Sequence, residues 1–411
     1  MPSRPRLQRR TLRVLAAAQV FGGVGFFLGV TVAALLARDV SGQESLGGVP
    51  LAFAVTSGAI AAAPLGAWMA RAGRRPALAA GHLIAASGAG LVVLAAGLGS
   101  FPFLCIGMAG FGLGNTSNLL ARYAATDLAP ADRRARAISV VLLATALGAI
   151  AGPNLAAPTE PLAEALGVPA SAGPFAVAVV AYAIAAGILL ALLRPDPLLA
   201  SRDAVEEAPS PVVPWGSALR SLPSWPRRAL MGVAVMAGAN VAMVAVMTMT
   251  PIHMEATGES LAAVGLVISG HVAGMYLPSP VSGRLSDRYG RNPVIAGGGL
   301  ALIAAGVLAA VAPGDSTPLM GLALALLGVG WNLGLVGGSA LLTDAIESER
   351  RGQAQGGGDL VMGLTGMSGN LASGPLFHAG AFGVLGGGAA AIGALLVLLA
   401  ARGRAPMVAR G

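Results

Sequence analysis

Long apolar segments separated by short polar breaks constrain this chain more than any other feature of its sequence. Many of these segments approach or exceed 20 residues, which is the length a helix needs to cross the hydrocarbon core of a bilayer. Only 11% of the residues are charged and the mean hydropathy is +0.75, whereas soluble domains carry about 25% charged residues. Glycine is abundant, with 60 copies, as expected where helices approach closely in lipid. The chain is therefore an integral membrane protein.

Apolar length predicts an all-α membrane protein with twelve transmembrane helices in two pseudo-symmetric six-helix bundles. The bundles occupy residues 1–193 and 229–411, and residues 194–228 form a cytoplasmic linker rich in proline and charge. The predicted spans are 14–37, 49–70, 77–98, 102–121, 136–157, 173–193, 229–251, 261–282, 294–312, 318–342, 354–377 and 382–401.

The arginines predict the topology. All 26 basic residues are arginine, and with twelve spans only Arg38 falls in a loop on the face opposite the termini. Seven acidic residues fall in those same loops. Because positive charge stays on the cytoplasmic side, both termini are predicted to be cytoplasmic, in the inner membrane of a bacterium. The high pI of about 11.0 follows from topology, and no nucleic-acid partner is expected.

The two halves repeat at a constant offset of 217 residues. The segment GAWMARAGRRP at 66–76 aligns with GRLSDRYGRNP at 283–293, and the same offset relates Asn115 to Asn332 and Asp127 to Asp344. This pattern indicates duplication of a six-helix bundle, the parallel-repeat architecture of transporters whose halves move around a site at the membrane midplane.

The loop after the predicted eighth span carries the pattern G-x-x-x-D-R-x-G-R. This pattern resembles the signature of the major facilitator superfamily, and the resemblance covers nearly the whole chain. It implies a cytoplasmic latch in which glycine permits a tight turn and the acid engages arginines and a helix N-terminus. The latch residues are Gly283, Asp287, Arg288, Gly290 and Arg291.

The N-terminal copy of the loop has Ala70 where the acid should be, which predicts a weaker latch there, with its arginines free to hold lipid phosphate. Two further pairs are expected to form cytoplasmic gate networks: Asp127 with Arg133, and Asp344 with Arg350. Asp359 is the acid placed well inside a predicted span, so it is a candidate for proton coupling or, alternatively, a partner of the nearby arginines.

Seven of the fourteen methionines fall between residues 231 and 275. Met243 and Met247 are four residues apart and share a face of span seven, and His271 and Met275 do the same on span eight. Thioether sulfur is a soft neutral ligand suited to Cu(I), and imidazole adds a stronger one. The four residues are thus a candidate copper site, and Met249, His253 and Met254 are candidate ligands along an entrance path.

Two other interpretations of these residues are open. Methionine commonly fills gaps between packed helices, and a histidine in the membrane can serve as a packing hydrogen bond, although such residues are more often functional. At the offset of 217 the four positions correspond to Phe26, Val30, Ala54 and Gly58, so the repeated fold does not itself require ligand side chains there.

Methionines on span seven together with His-x-x-x-Met on span eight resemble one subgroup of the superfamily, the CcoA-like bacterial copper importers. The resemblance implies that the chain imports copper, held as substrate by Met243, Met247, His271 and Met275, for assembly of cytochrome oxidase. A monomer with no cofactor is expected, with membrane lipid and a cytoplasmic copper chaperone as partners.

Relatives of that subgroup include riboflavin transporters, so a carrier of a small organic solute, or a drug exporter, is the alternative. Aromatic residues make up only 4% of the chain, but Phe26, Tyr276 and Trp331 are candidates to line a pocket for a flat ligand. An enzyme is not expected, because the sequence contains no catalytic triad pattern, zinc-protease motif or Walker loop.

Overall fold

The computed structural model describes residues 4–130, 134–202, 225–312, 315–346 and 351–402. In these ranges the chain forms helices and turns without a β-strand, as predicted. It divides into two compact units, Met1–Val212 and Val213–Gly411, and their boundary falls within the stretch that the sequence predicts to be a linker.

In the first unit the described residues form helices of very different lengths. They are α1 (Arg4–Ser41), α2 (Val49–Ala72), α3 (Arg74–Leu98), α4 (Phe101–Thr126), α5 (Arg134–Ala151), α6 (Glu160–Leu166), α7 (Gly173–Leu192) and α8 (Pro197–Arg202). The candidate membrane span Ala137–Leu155 agrees with the predicted fifth span. Its α-helical part ends at Ala151, and a short 3₁₀ helix containing Pro153 continues it.

The second unit contains fewer but mostly longer helices in its described part. They are α9 (Arg227–Ala256), α10 (Leu261–Tyr276), α11 (Ser279–Tyr289), α12 (Arg291–Val311), α13 (Thr317–Asp344) and α14 (Arg351–Arg402). The predicted eighth span is interrupted at Leu277 and Pro278, where proline cannot donate the backbone hydrogen bond of a helix.

Ten helical segments of the described chain are long and apolar enough to cross a membrane. The two predicted spans missing from these ten, 102–121 and 354–377, are also helical. A larger share of their residues is glycine, serine or asparagine than in the other spans, which lowers their hydropathy without preventing helix formation.

The first part of α14 runs alongside α9 in the same direction. Asn240 on α9 donates a hydrogen bond from Nδ2 to the carbonyl oxygen of Met362. Two turns further along both helices, Thr248 donates from Oγ1 to the amide oxygen of Asn370. The residue numbers rise together, so this stretch is parallel to α9.

The last part of α14 runs back in the opposite direction. Phe382 stacks on His253 near the C-terminal end of α9, with ring centroids 4.4 Å apart. Ten residues later Ile392 packs beside Gly238. The chain therefore reverses direction close to Phe382, although its residues are helical throughout, and α14 provides two antiparallel segments as the predicted spans eleven and twelve require.

Glycine sets how closely the helices approach in both units. A Cβ added to Gly112 would collide with the backbone carbonyl of Ala54, and one added to Gly88 would collide with the backbone at Phe111. The helices at these points touch backbone to backbone, which is the packing that small residues permit in membranes.

Candidate functional site

Helix α10 carries His271 and Met275, and its position is fixed by close packing on α13. A Cβ on Gly328 would collide with the carbonyl oxygen of His271 and lie 2.9 Å from the amide nitrogen of Met275. On the other side of the contact, a Cβ on Gly274 would lie 2.5 Å from the carbonyl oxygen of Ala325. The backbones of the two helices are therefore in direct contact at the level of the candidate ligands.

The imidazole of His271 is fully buried, and its two nitrogens have different environments. Nδ1 lies 2.8 Å from the carbonyl oxygen of Leu324, and because a carbonyl only accepts, Nδ1 carries the proton and donates. Nε2 then presents its lone pair, and it has no hydrogen-bond partner among the described residues. Histidines that bind metals commonly donate their second nitrogen to a carbonyl or carboxylate in this way.

The thioethers on the two helices lie inside the unit. Met243 on α9 and Met275 on α10 are each 6% exposed, and Met247 is half-buried. None of the three side chains is fully exposed at the helix surface.

Two consecutive residues of α13 hold α9 and α10 at the same level. Trp331 donates from Nε1 to the amide oxygen of Asn240 at 3.1 Å, one turn before Met243 on α9. Asn332 donates from Nδ2 to the carbonyl oxygen of Met275 at 2.8 Å. Met243 and Met275 therefore lie at similar heights along α13, with His271 one turn from Met275 on the same face of α10.

The candidate ligands along the entrance path differ in their surroundings from the four candidate copper ligands. Met249 and Met254 are fully buried, and His253 is half-buried with its ring stacked on Phe382 and edge-on to Phe377 at 6.4 Å. These aromatic contacts are made through the ring of His253 and do not use its nitrogens. They also pack α9 against α14.

The predicted latch of the second unit contains a network of ion pairs and hydrogen bonds centred on Arg291. This arginine donates from Nη1 to Asp287 at 2.8 Å and to Ser286 at 3.1 Å, and from Nε to Asp344 at 2.9 Å. The carboxylate Asp287 thus engages an arginine at the start of α12, as the resemblance implied, whereas the guanidinium of Arg288 lies over the ring of Tyr289.

The tight turn of this loop lies at Gly290 and not at Gly283. Gly290 has φ of +88°, a conformation that side chains with a Cβ rarely adopt. Gly283 lies inside α11, and a Cβ added there would meet open space. Of the two glycines in the pattern, Gly290 therefore makes the turn, whereas the helix continues through Gly283.

The first unit repeats the central ion pair of this latch. Arg74 donates from Nε and Nη2 to the two carboxylate oxygens of Asp127 at 2.9 and 3.0 Å. These residues are the counterparts of Arg291 and Asp344 at the offset of 217. The predicted partners Arg133 and Arg350 lie outside the described residues. The partners described for Asp127 and Asp344 are instead the first residues of α3 and α12.

Asp196 supplies a carboxylate to the first unit's loop, where Ala70 replaces the acid. One of its oxygens accepts from the amide of Arg75 at 2.7 Å, in the first turn of α3. The other accepts from the amides of Leu198 and Leu199 at 3.0 and 3.3 Å, at the start of α8. One carboxylate therefore caps two helices, which nothing in the motif pattern indicated because Asp196 lies over a hundred residues from the loop.

Replacing Asp196 with alanine should lower the stability of the first unit by about 1–2 kcal/mol, the usual effect of losing a helix cap. Thermal unfolding of the purified protein in detergent measures the change. Asp196→Asn keeps one accepting oxygen, which can cap only one of the two helices, so it should lose less stability than the alanine variant. Equal losses in both variants would contradict the capping role.

The remaining observations concern Asp359 and other groups of side chains that could bind a metal ion. Asp359 lies in the third turn of α14 with an exposed side chain, and its role in proton coupling stays a prediction. Among the described residues, no group of three or more His, Cys, Asp or Glu could hold a metal ion. The candidate copper site differs from such a group because three of its four ligands are methionine thioethers.

Comparison with solved structures identifies the architecture. A bacterial homolog of the human lysosomal transporter Spinster, in its inward-facing and unoccupied conformation, matches with a TM-score of 0.72 at 16% identity, covering 96% of each chain. The nucleoside transporter NupG matches with a TM-score of 0.70 at 16% identity, covering 95% of this chain and 98% of the other. At these identities the likeness concerns the fold.

Sequence relatives and the family pattern agree with this fold. The uncharacterized MFS-type transporter YddS of Bacillus subtilis is 43% identical over 95% of this chain and 90% of its own length. The riboflavin transporter RfnT of Brucella anthropi is 32% identical over 90% of this chain and 89% of its own. The sequence pattern of the Major Facilitator Superfamily matches residues 14–260 and 230–409. The chain therefore belongs to the Major Facilitator Superfamily and is a multi-pass membrane transporter.

Proposed function

We propose that this transporter imports copper as Cu(I), bound as substrate by Met243, Met247, His271 and Met275 and released to the cytoplasm by alternating access of its two halves. The membrane is the cytoplasmic membrane of a bacterium, with both termini in the cytoplasm. The protein acts as a monomer and delivers copper, through a cytoplasmic chaperone, for assembly of cytochrome oxidase.

The observation that carries the proposal is the state of His271. Its Nδ1 is anchored on the carbonyl oxygen of Leu324, and its buried Nε2 has no hydrogen-bond partner in the described part of the chain. Leaving a buried polar atom without a partner costs about 1–3 kcal/mol. A ligand that binds Nε2 would remove that cost, and copper is a strong acceptor of an imidazole lone pair.

The neighbouring thioethers favour a soft cation over a hard one. Met275 lies one turn from His271 on the same face, and Met243 lies one turn beyond the point where Trp331 holds α9. Magnesium, calcium and manganese prefer oxygen ligands, whereas thioethers select Cu(I). Methionine binds without losing a proton. Because no cysteine thiolate is present at these positions, the site should bind its ion weakly enough to release it, as transport requires.

Uptake by cells with and without the gene tests the assignment. Cells carrying the gene should accumulate more radioactive copper than cells lacking it, and uptake should require a reductant that keeps copper as Cu(I). Labelled riboflavin, supplied to the same strains, provides the comparison. A gene-dependent uptake of riboflavin without any gene-dependent uptake of copper would overturn the proposal.

A riboflavin carrier is the second candidate, because RfnT is 32% identical over most of both chains. In the second unit, the rings of Tyr276 and Trp331 lie edge-to-face with centroids 6.4 Å apart, next to the candidate copper ligands, and offer aromatic surface to a flat ring system. The third aromatic candidate, Phe26, belongs to the first unit, where it stacks on Phe111 at 5.6 Å. Substitution of Trp331 by leucine would reduce riboflavin uptake under this alternative.

A further inference from the structure

A cluster of buried polar side chains lies in the interior of the first unit, remote in sequence from the candidate copper ligands. It comprises His82 on α3, Ser117 and Asn118 on α4, and Tyr182 on α7. His82, Ser117 and Tyr182 are fully buried and Asn118 is 3% exposed. An ionisable residue inside a membrane protein is costly and usually functional, so this cluster requires an explanation.

The two nitrogens of His82 both face oxygen atoms. Nδ1 lies 2.8 Å from the carbonyl oxygen of Leu78, and Nε2 lies 3.2 Å from the amide oxygen of Asn118. A neutral imidazole has one donor and one acceptor, whereas the protonated ring has two donors. Two acceptors opposite the two nitrogens therefore match the protonated ring.

The neutral ring can be accommodated by a rotation of Asn118. If its amide turns over, Nδ2 takes the place of the oxygen and donates to an unprotonated Nε2. In the orientation shown by the structure, Nδ2 of Asn118 has no partner among the described residues, and neither has Oγ of Ser117 or Oη of Tyr182. The cluster thus has unused hydrogen-bonding capacity. Its Asn118 amide can present oxygen to the protonated ring of His82 and, after rotation, nitrogen to the neutral ring.

Glycines make room for this arrangement on the facing helices. A Cβ on Gly22 of α1 would collide with the amide oxygen of Asn118 and lie 2.8 Å from Nε2 of His82. A Cβ on Gly114 of α4 would collide with the phenol of Tyr182. Of the groups that the structure places against His82 from α1, α4 and α7, Tyr182 is the titratable one, with ring centroids 5.9 Å apart.

We propose that His82 is a proton-binding site that couples transport to the proton gradient, with Asn118 turning its amide to follow the protonation state. A proton from the outer solution adds to the lone pair of Nε2 when the site is accessible from outside. The same proton leaves Nε2 for water when the site is accessible from the cytoplasm. The proposal rests on the chain being a transporter and not on the identity of its cargo.

Nitrogen NMR of the purified full-length protein, labelled with ¹⁵N-histidine, tests proton binding without any substrate. The chain has four histidines, and the His82→Gln variant identifies the signal of His82 by its loss. We expect this signal to change from one protonated nitrogen to two as the solution is acidified from about pH 8 to about pH 5. A ring that keeps a single proton, on Nδ1, over that whole range would overturn the proposal.

Transport in proteoliposomes tests the coupling, with Cu(I) and riboflavin as the two probes and the membrane potential held at zero. For one coupled proton, a pH difference of about one unit, acid outside, should raise accumulation of the transported probe about tenfold. His82→Gln and Asn118→Asp should both lose this dependence, because the first cannot bind the proton and the second holds it permanently. His378→Gln, the same change at an exposed histidine, should keep it.

The two probes distinguish a failure of the copper assignment from a failure of the proton site at His82. Uptake of riboflavin alone, with the dependence on His82 retained, would remove copper as cargo and leave the proton site standing. Accumulation in His82→Gln that still rises about tenfold with the pH difference would refute the proton site whichever cargo is carried.

Discussion

Replacing His271 with alanine is expected to abolish saturable copper uptake while leaving the amount of transporter in the membrane unchanged. The physical reason is the loss of the nitrogen ligand whose lone pair is buried and without a partner among the described residues. Removing even an outer group that orients a metal ligand commonly costs 10–100-fold in affinity, so losing the ligand itself should weaken Cu(I) binding by about 100-fold or more. Initial rates of radioactive copper uptake, measured against copper concentration, report the change.

Alanine variants of the other candidate ligands provide a comparison for this experiment. Alanine at Met243 or Met275 should reduce affinity less than alanine at His271, because a thioether is the weaker ligand and other sulfurs remain. His378→Ala is the matched control, since that histidine is exposed and should leave uptake unchanged. Normal copper uptake by the His271→Ala variant would refute the copper site. If uptake falls only as much as the amount of transporter in the membrane, His271 has a packing role.

Alanine in place of Gly328 is expected to destabilise the second unit and to impair the candidate site together. The added Cβ would collide with the carbonyl oxygen of His271 and crowd the amide of Met275. Backbone atoms cannot move aside as a flexible side chain can, so α10 must shift away from α13. Overpacking of this kind costs about 1–3 kcal/mol, which should exceed the gain of up to about 1 kcal/mol that alanine brings to a helix.

Gly321→Ala is the control for this change, because it lies on the same helix α13. A Cβ at Gly321 would meet only the side chain of Val267, at 3.9 Å, which is ordinary contact. Thermal unfolding in detergent and Cu(I) affinity should both fall for Gly328→Ala and stay near the wild-type values for Gly321→Ala. Equal stability of the two variants would show that α10 and α13 do not depend on backbone contact at this level.

The latch illustrates how far a repeated motif predicts structure. The offset of 217 correctly related two equivalent salt bridges, Arg74 with Asp127 and Arg291 with Asp344. Alignment of the halves could show that these residues are equivalent but not that they touch each other. In the first unit Asp127 is 8% exposed and in the second Asp344 is 54% exposed, so the same pair is buried in one copy and solvated in the other.

From the sequence we could predict the fold class and the helical segments, and we could name candidate residues for a soft-metal site. These depend on segment length, apolar composition and the chemistry of single side chains, all of which are local. The sequence did not show which of the two pattern glycines, Gly283 or Gly290, makes the turn, and it did not indicate the capping role of Asp196. The first depends on where a helix ends, and the second on which distant segment approaches it.

The side chains with unused hydrogen-bonding capacity could be identified from the structure but not from the sequence. The anchoring of His271 on Leu324 and the approach of Asn118 to His82 arise from contacts between helices, and glycines such as Gly328 allow the backbones of helices to touch. A sequence shows that two histidines lie within spans. It cannot show that one presents a lone pair and the other faces two oxygens, because that difference is made by the packing of neighbouring helices.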